Sequence, residues 1–293
     1  MDKPKRRWGD RRDARWVREA DPMHTFMPYL MPKRTDCEAF IRETIDLTPI
    51  NAYLEKKNAD SPAFKYTFFH VIACALAKCF YLRPNMNRFI AGRRLYERND
   101  ITMAFVAKKV FSDKGGETLI YLRAREDDTL DAIHERIWEK VSRVRKADAD
   151  EGSTMDAMGI LAKLPRPVLQ LVMWTLNVLD YFGRVPRALI DGDPNYASIF
   201  ITNLGSIRLN AGYHHLNNWG TNSFFTVIGE KRMAHVVDKE GSDSIREVLE
   251  IGLTVDERIA DGYYYAKTVK LLKHLLAHPE LLERPIKEEV DYE

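Results

Sequence analysis

Apolar positions along the chain switch between a helical and an alternating period. From Ala63 to Phe80, residues Phe64, Phe68, Val71, Ile72, Ala75, Leu76 and Cys79 recur at helical spacing, and Arg83-Pro84 closes the run. A core helix is expected there. Leu130 to Lys146 predicts an amphipathic helix with Ile133, Ile137, Val141 and Val144 on one face. Residues 155–182 predict one or two more helices, punctuated by Pro165 and Pro167, and Tyr263 to Ala277 predicts a last one, closed by Pro279. Pro49 to Lys57 reads as a helix with proline in its first turn.

Strand patterns lie between these helices. Arg88-Phe89-Ile90 and Arg94-Leu95-Tyr96 flank the turn Ala91-Gly92, and Ile101 to Ala107 and Thr118 to Leu122 are joined by Asp113-Lys114-Gly115-Gly116. Further strands are expected at Ser198 to Asn203, Phe224 to Ile228, Ala234 to Val237 and Val248 to Val255. Near the start, Asp36 precedes a short capped segment, Cys37 to Arg42, and Ile45 to Thr48 reads as a brief strand. The irregular alternation favours a two-layer α/β sandwich with a mixed β-sheet over a doubly wound parallel one.

Composition changes this picture little. The 293 residues are 45% hydrophobic and 30% charged, with a net charge of +2, so nothing global demands nucleic acid or a membrane. The first 29 residues form a basic arm that Asp2, Asp10, Asp13 and Glu19 interrupt, expected to be solvated or pinned to a neighbouring subunit by Trp8 and Trp16. The body spans 30–283, and 284–293 is a charged tail. Val168 to Phe182 is the most apolar run and is too short to span a bilayer. Three cysteines, Cys37, Cys74 and Cys79, lack metal-type spacing and read as reduced thiols of a cytoplasmic protein.

The most informative segment is Asp256-Glu257-Arg258-Ile259-Ala260-Asp261-Gly262, between the last strand and the last helix. Other segments accompany it in order: Lys33-Arg34-Thr35-Asp36, Pro62-Ala63-Phe64, Arg83-Pro84-Asn85-Met86-Asn87, Phe200-Ile201-Thr202-Asn203-Leu204-Gly205 and Pro279-Glu280-Leu281-Leu282. Together they resemble the chloramphenicol acetyltransferase superfamily, which includes the catalytic domain of the dihydrolipoyl acyltransferases of 2-oxoacid dehydrogenase complexes. The resemblance implies a trimer whose active site lies between neighbouring subunits. Acyl-coenzyme A is the implied donor and a small hydroxyl, amine or thiol the implied acceptor.

Carried over by position, the resemblance puts Glu257 where the family has its catalytic histidine. Asp261 and Gly262 are retained, and Arg34 is the implied partner of Asp261. Asn203 marks the tight turn, and the oxyanion-binding hydroxyl position falls on Phe200, leaving Ser198 and Thr202 as neighbouring hydroxyls on the same strand face. Thioester chemistry needs a base for the acceptor and a donor for the oxyanion. A carboxylate, with an unperturbed pKa of about 4.3, is a weak base unless burial raises it. An acidic residue just before a helix also has a plain role at the helix dipole. His214 and His215, in Gly212-Tyr213-His214-His215-Leu216-Asn217-Asn218-Trp219-Gly220, are the alternative bases; a metal is not expected, for want of a third ligand. Two functions remain open: an atypical acyltransferase, or a pseudo-acyltransferase that binds a ligand or serves as a scaffold.

Overall fold

A computed structural model describes residues 6–108, 117–146, 159, 161–190, 192–237 and 240–292. The expected turn at 113–116, the start of the predicted helical stretch at 155–158 and the first five residues of the arm lie outside them. Nine strands are described. They are β1 (Ala14–Trp16), β2 (Glu38–Asp46), β3 (Arg88–Ala91), β4 (Arg94–Arg98), β5 (Ile101–Lys108), β6 (Glu117–Ala124), β7 (Ile199–Asn203), β8 (Phe224–Val237) and β9 (Asp243–Asp256). The helices are α1 (Pro22–Leu30), α2 (Thr48–Lys57), α3 (Phe68–Leu82), α4 (Leu130–Lys146), α5 (Arg166–Tyr181), α6 (Arg187–Ile190) and α7 (Gly262–Ala277).

A six-stranded sheet runs in the order β2-β9-β8-β7-β5-β6. Strands β5, β7 and β8 are mutually parallel and the other pairings are antiparallel, which makes the sheet mixed as expected. One face packs on helices. Leu249, Ile251, Leu253 and Val255 of β9 and Ile199 and Ile201 of β7 join α3, α4 and α7 in one apolar cluster. Burying that many branched side chains, at about 25 cal/mol per Å² of apolar area, is the main force holding the two layers together. Helix α3 is the centre of this layer: its residues from His70 to Phe80 are all buried. His70 is the N3 residue of its capping box, its Nδ1 accepting from the Thr67 N–H at 3.0 Å.

The opposite face of the sheet carries Phe40, Gly252, Thr254, Phe225, Val227, Phe200 and Thr202, as the cross-strand register requires. Residues 208–222 cross it. Leu216 is fully buried there against Phe225 and Val227. A Cβ at Gly252 would overlap the carbonyl oxygen of Gly212, so the crossing segment lies directly on the backbone of β9. Its path is pinned by the Glu38 carboxylate, which accepts from the Leu216 N–H, and by the Trp219 indole, which donates to Asp193 at 3.0 Å.

Three expectations need correction. Cys37 to Arg42 is not a short capped segment: Glu38 to Arg42 is the first part of β2, which is paired along its whole length with β9. Phe224–Ile228 and Ala234–Val237 are one strand, bent by a bulge between Ile228 and Lys231. The arm is not a solvated tail throughout: β1 pairs with β4 in a second sheet, β1-β4-β3, and Ala14 and Arg11 are buried.

Candidate active site

The turn from β9 into α7 is built on a buried ion pair. Asp256 is fully buried, and Arg258 grips it twice, Nε to Oδ1 at 2.8 Å and Nη2 to Oδ2 at 2.7 Å. Such a bidentate pair fixes orientation as well as charge. Arg258 also donates to the Met31 carbonyl at 2.8 Å, and the Tyr265 hydroxyl donates to the Asp256 carbonyl at 2.7 Å. Burial pulls the Arg258 guanidinium down, but its bonds to Asp256 outweigh that and raise it.

Glu257 sits on this base and is exposed. Its backbone N–H donates to the Cys37 carbonyl at 2.9 Å. Its carboxylate makes no hydrogen bond or ion pair with the described residues. Cys37 beneath it is no nucleophile: burial pushes its thiol up to about 11, and the S–H is engaged with the Lys33 carbonyl at 3.1 Å.

Arg34 does not pair with Asp261. Its Nε stands 3.8 Å from Asp256, and its other groups hold backbone: Nη1 to the Asn217 carbonyl at 2.5 Å and Nη2 to the Ile90 carbonyl at 3.2 Å. Burial lowers its pKa, with Asp256 pulling the other way. Asp261 is exposed and serves as the N-cap of α7, accepting from the Tyr264 N–H at 2.7 Å. Spacing alone could not say which of two aspartates turns inward. Asp256 does, because it still belongs to the alternating pattern of β9, paired with Glu38 of β2.

The remaining candidates fall in two places. Ser198 is buried and committed across the β5–β7 pair: its Oγ accepts from the Thr102 N–H at 3.0 Å, and its N–H donates to Thr102 Oγ1 at 2.9 Å. Phe200, at the expected hydroxyl position, stacks on Phe225 with ring centroids 4.6 Å apart. The His214 ring stacks on the same Phe225 at 4.2 Å and on His215 at 4.7 Å, and both histidines are exposed. Thr202 is half-buried on this face.

Asn203 points to the helical side. It lines a cavity of about 380 Å³ with Thr67, Phe69, Gly205, Ser206 and Lys231. Its Oδ1 is shielded from solvent and has no hydrogen-bond partner among the described residues. The cavity lies at the carboxyl end of β7, beside the middle of β8 where the bulge turns Lys231, and at the start of α3. Ligands of α/β sheets gather at strand ends such as that of β7, and the helix start and Lys231 favour an anion, although Lys231 Nζ already stands 3.3 Å from the Glu247 carboxylate. Glu230 lines the cavity as well. Lys231, Thr67 and Phe69 went unnoticed in the sequence; the Gly229-Glu230-Lys231 interruption of an apolar strand was the available signal.

This cavity and Glu257 stand apart along the sheet. The N–H of Asp256 meets the Ser223 carbonyl, whereas the cavity begins near Glu230, seven residues further along β8. At about 3.3 Å per residue they are roughly 20 Å apart.

Comparison with known proteins agrees with this architecture. The model of the family "2-oxoacid dehydrogenases acyltransferase (catalytic domain)" matches residues 190–283. No curated protein matches the chain. A probable dihydrolipoamide acetyltransferase from Listeria monocytogenes 4b F2365 superposes with a TM-score of 0.57 at 14% identity, covering 92% of each chain. The cubic core of the pyruvate dehydrogenase multienzyme complex gives 0.58 at 17% identity, over 88% of this chain and 87% of that one. Azotobacter vinelandii dihydrolipoamide acetyltransferase gives 0.57 at 17%, over the same shares. The fold is that of the dihydrolipoamide acetyltransferase cores.

Within this acyltransferase fold, the matched stretch runs from the cavity-forming β7 through the crossing segment and Glu257 to the end of α7. The long exposed helix α5 precedes it and lies outside the match.

Proposed function

We propose that this protein is a coenzyme A-dependent acyltransferase whose active site is completed between neighbouring copies. The observation that carries the reading is the cavity at the carboxyl end of β7, with Lys231 and the start of α3 to receive the phosphates of an acyl-coenzyme A. Glu257, whose carboxylate has no partner among the described residues and stands about 20 Å from its own cavity, reaches the cavity of an adjacent copy in a homotrimer.

In this reading the acceptor, a small hydroxyl, amine or thiol, attacks the thioester carbonyl while Glu257 takes its proton. The new carbon–acceptor bond forms, the carbon–sulfur bond breaks, and the proton passes to the departing thiolate. Ser198 is spent on Thr102 and Thr202 lies on the sheet face opposite the cavity, so neither hydroxyl serves an oxyanion formed in the cavity. Asp256 and Arg258 hold Glu257 in place and take no proton. Arg34, Asp261, Gly262 and Asn203 are structural: they hold the crossing segment, the start of α7 and the cavity wall.

Release of free thiol from acetyl-coenzyme A, tested with a panel of small acceptors, is the measurement. Glu257→Gln should lower kcat by about 10²–10⁴-fold, the usual worth of a general base. An equal loss in His214→Ala with Glu257→Gln unaffected would move the base to His214. Failure of calorimetry to detect either coenzyme A or its acetyl ester would end the acyltransferase reading.

A second reading is favoured by one observation. An aromatic ring, Phe200 stacked on Phe225, fills the expected hydroxyl position. A pseudo-acyltransferase would bind coenzyme A with normal stoichiometry and release no thiol with any acceptor.

A further inference from the structure

Helix α5 has no buried residue. Along one side run Val168, Leu171, Trp174, Val178, Tyr181 and Phe182, all exposed, with Leu171 at 61%, Trp174 at 62% and Phe182 at 68%. This is a continuous helical stripe, since each residue lies three or four positions from the next or beside it. The helix is anchored at its far end. Asp180 accepts from Arg11 Nη2 at 3.0 Å and from the Tyr196 hydroxyl at 3.2 Å, and a Cβ at Gly92 would overlap the Tyr181 carbonyl oxygen. Beyond that turn the surface stays apolar. Arg93 stands over the Tyr29 ring at 5.2 Å, and Phe26 and Tyr29 of α1 are more than half exposed. Contiguous apolar surface of this kind marks an interaction site.

The charges around the stripe decide what covers it. Lys163 and Arg166 are exposed at one end of α5 and Arg184 just past the other. Arg6, Arg7 and Arg12 are exposed on the arm next to Arg11. The acids beside α5 are bound, Asp180 and Asp13 by Arg11 and Asp10 by the N–H groups of Arg7 and Trp16, while Glu19 and Asp21, just before α1, are exposed. A second copy of α5 laid against the first, in either direction, would set cation against cation, which disfavours pairing. An anionic surface would meet a cation at each end and an apolar, aromatic stripe between them.

We propose that the α5 stripe, continued by α1, docks this protein in the interface of an anionic phospholipid bilayer. At 16 residues α5 is about 24 Å long, and no described helix is long and apolar enough to cross a membrane. Lying in the headgroup plane needs no span. The apolar stripe enters the acyl boundary while Lys163, Arg166 and Arg184 stay with the phosphates. The sequence expectation of no membrane partner rested on span length and on the net charge of +2; the local cations around the stripe, not the net charge, carry this mode.

Co-sedimentation tests it, using vesicles of phosphatidylcholine alone and of phosphatidylcholine mixed with phosphatidylglycerol. The full chain should pellet with the mixed vesicles, more weakly in high salt. Leu171→Glu combined with Trp174→Glu, both exposed, should reduce binding at least about tenfold with unchanged circular dichroism. Arg166→Glu combined with Arg184→Glu should do the same for the mixed vesicles. A wild type that stays in the supernatant with both vesicles overturns the proposal. So does a Leu171/Trp174 variant that binds like wild type. If instead that variant only lowers the sedimenting mass, the stripe is a contact between copies and the membrane proposal falls. None of these readouts depends on acyl transfer.

Discussion

Glu257 stands exposed on a rigid mount. Asp256 and Arg258 are almost wholly buried, and Glu257 between them is exposed. The two kinds of residue should therefore fail differently. Arg258→Ala strands a buried carboxylate and should cost about 3–5 kcal/mol, read as a lower urea midpoint, with Arg34 too distant at 3.8 Å to replace the bidentate grip. Asp256→Asn combined with Arg258→Met should recover much of that loss. Glu257→Gln should change stability by less than about 0.5 kcal/mol, so any loss of turnover in it belongs to chemistry. Position 257 was legible in the sequence because its motif is local. The partner of Arg34 was not, because pairing over more than two hundred residues depends on which aspartate β9 buries.

A second residue-scale consequence concerns pH. Burial, aided by His134, depresses the His70 imidazole to about 3. Its unfolded value is about 6.5. Between these values the unfolded chain binds a proton that the folded chain refuses. The stability contribution is thus complete above pH 6.5 and is lost as pH falls, by up to about 1.4 kcal/mol per pH unit. His134 is lowered by burial too and acts in the same sense. Urea midpoints at pH 7.5 and 5.5 should differ for the wild type, and the difference should shrink in His70→Gln. An equal pH dependence in both proteins would place the titration elsewhere.

At the scale of elements, the crossing segment is the part that periodicity could not supply. Its residues follow neither a helical nor an alternating rule; they follow the sheet beneath them. Gly252 is where the two backbones touch, so Gly252→Ala forces the segment off β9. The expected cost is about 1–3 kcal/mol, as for overpacking elsewhere. Hydrogen exchange at the Leu216 N–H, bound to Glu38, should accelerate in the variant while amides of α3 stay protected. Unchanged exchange at Leu216 would mean the segment is held by Trp219 and Leu216 without that close contact. Helix α3 was legible because its residues are almost all apolar, but Ala63 to Thr67, expected within it, precede its start at Phe68. The first part of β2 was not: Glu38, Phe40 and Arg42 alternate onto the open face of the sheet, where charge and half-burial blur the two-residue period.

At the scale of the molecule, mixed sheet and helical layer were both readable, yet the isolated chain leaves its candidate chemistry in two pieces. Glu257 and the cavity stand about 20 Å apart along β8, so under the proposed function a working site takes a second chain. This requirement makes a prediction that the fold alone does not. If the trimer completes the site, thiol-releasing activity and apparent Tm should both rise with protein concentration across the dissociation range, because association stabilises the folded chain by mass action. Sedimentation over that range should show a species of three times the chain mass appearing in step with activity. Mixing Glu257→Gln with a cavity variant, Lys231→Glu, should then restore part of the activity that neither retains alone, since some mixed trimers pair an intact Glu257 with an intact cavity. A monomer with full activity, or a mixture no more active than its components, would put the whole reaction within one chain and leave the 20 Å gap to be closed by some other residue.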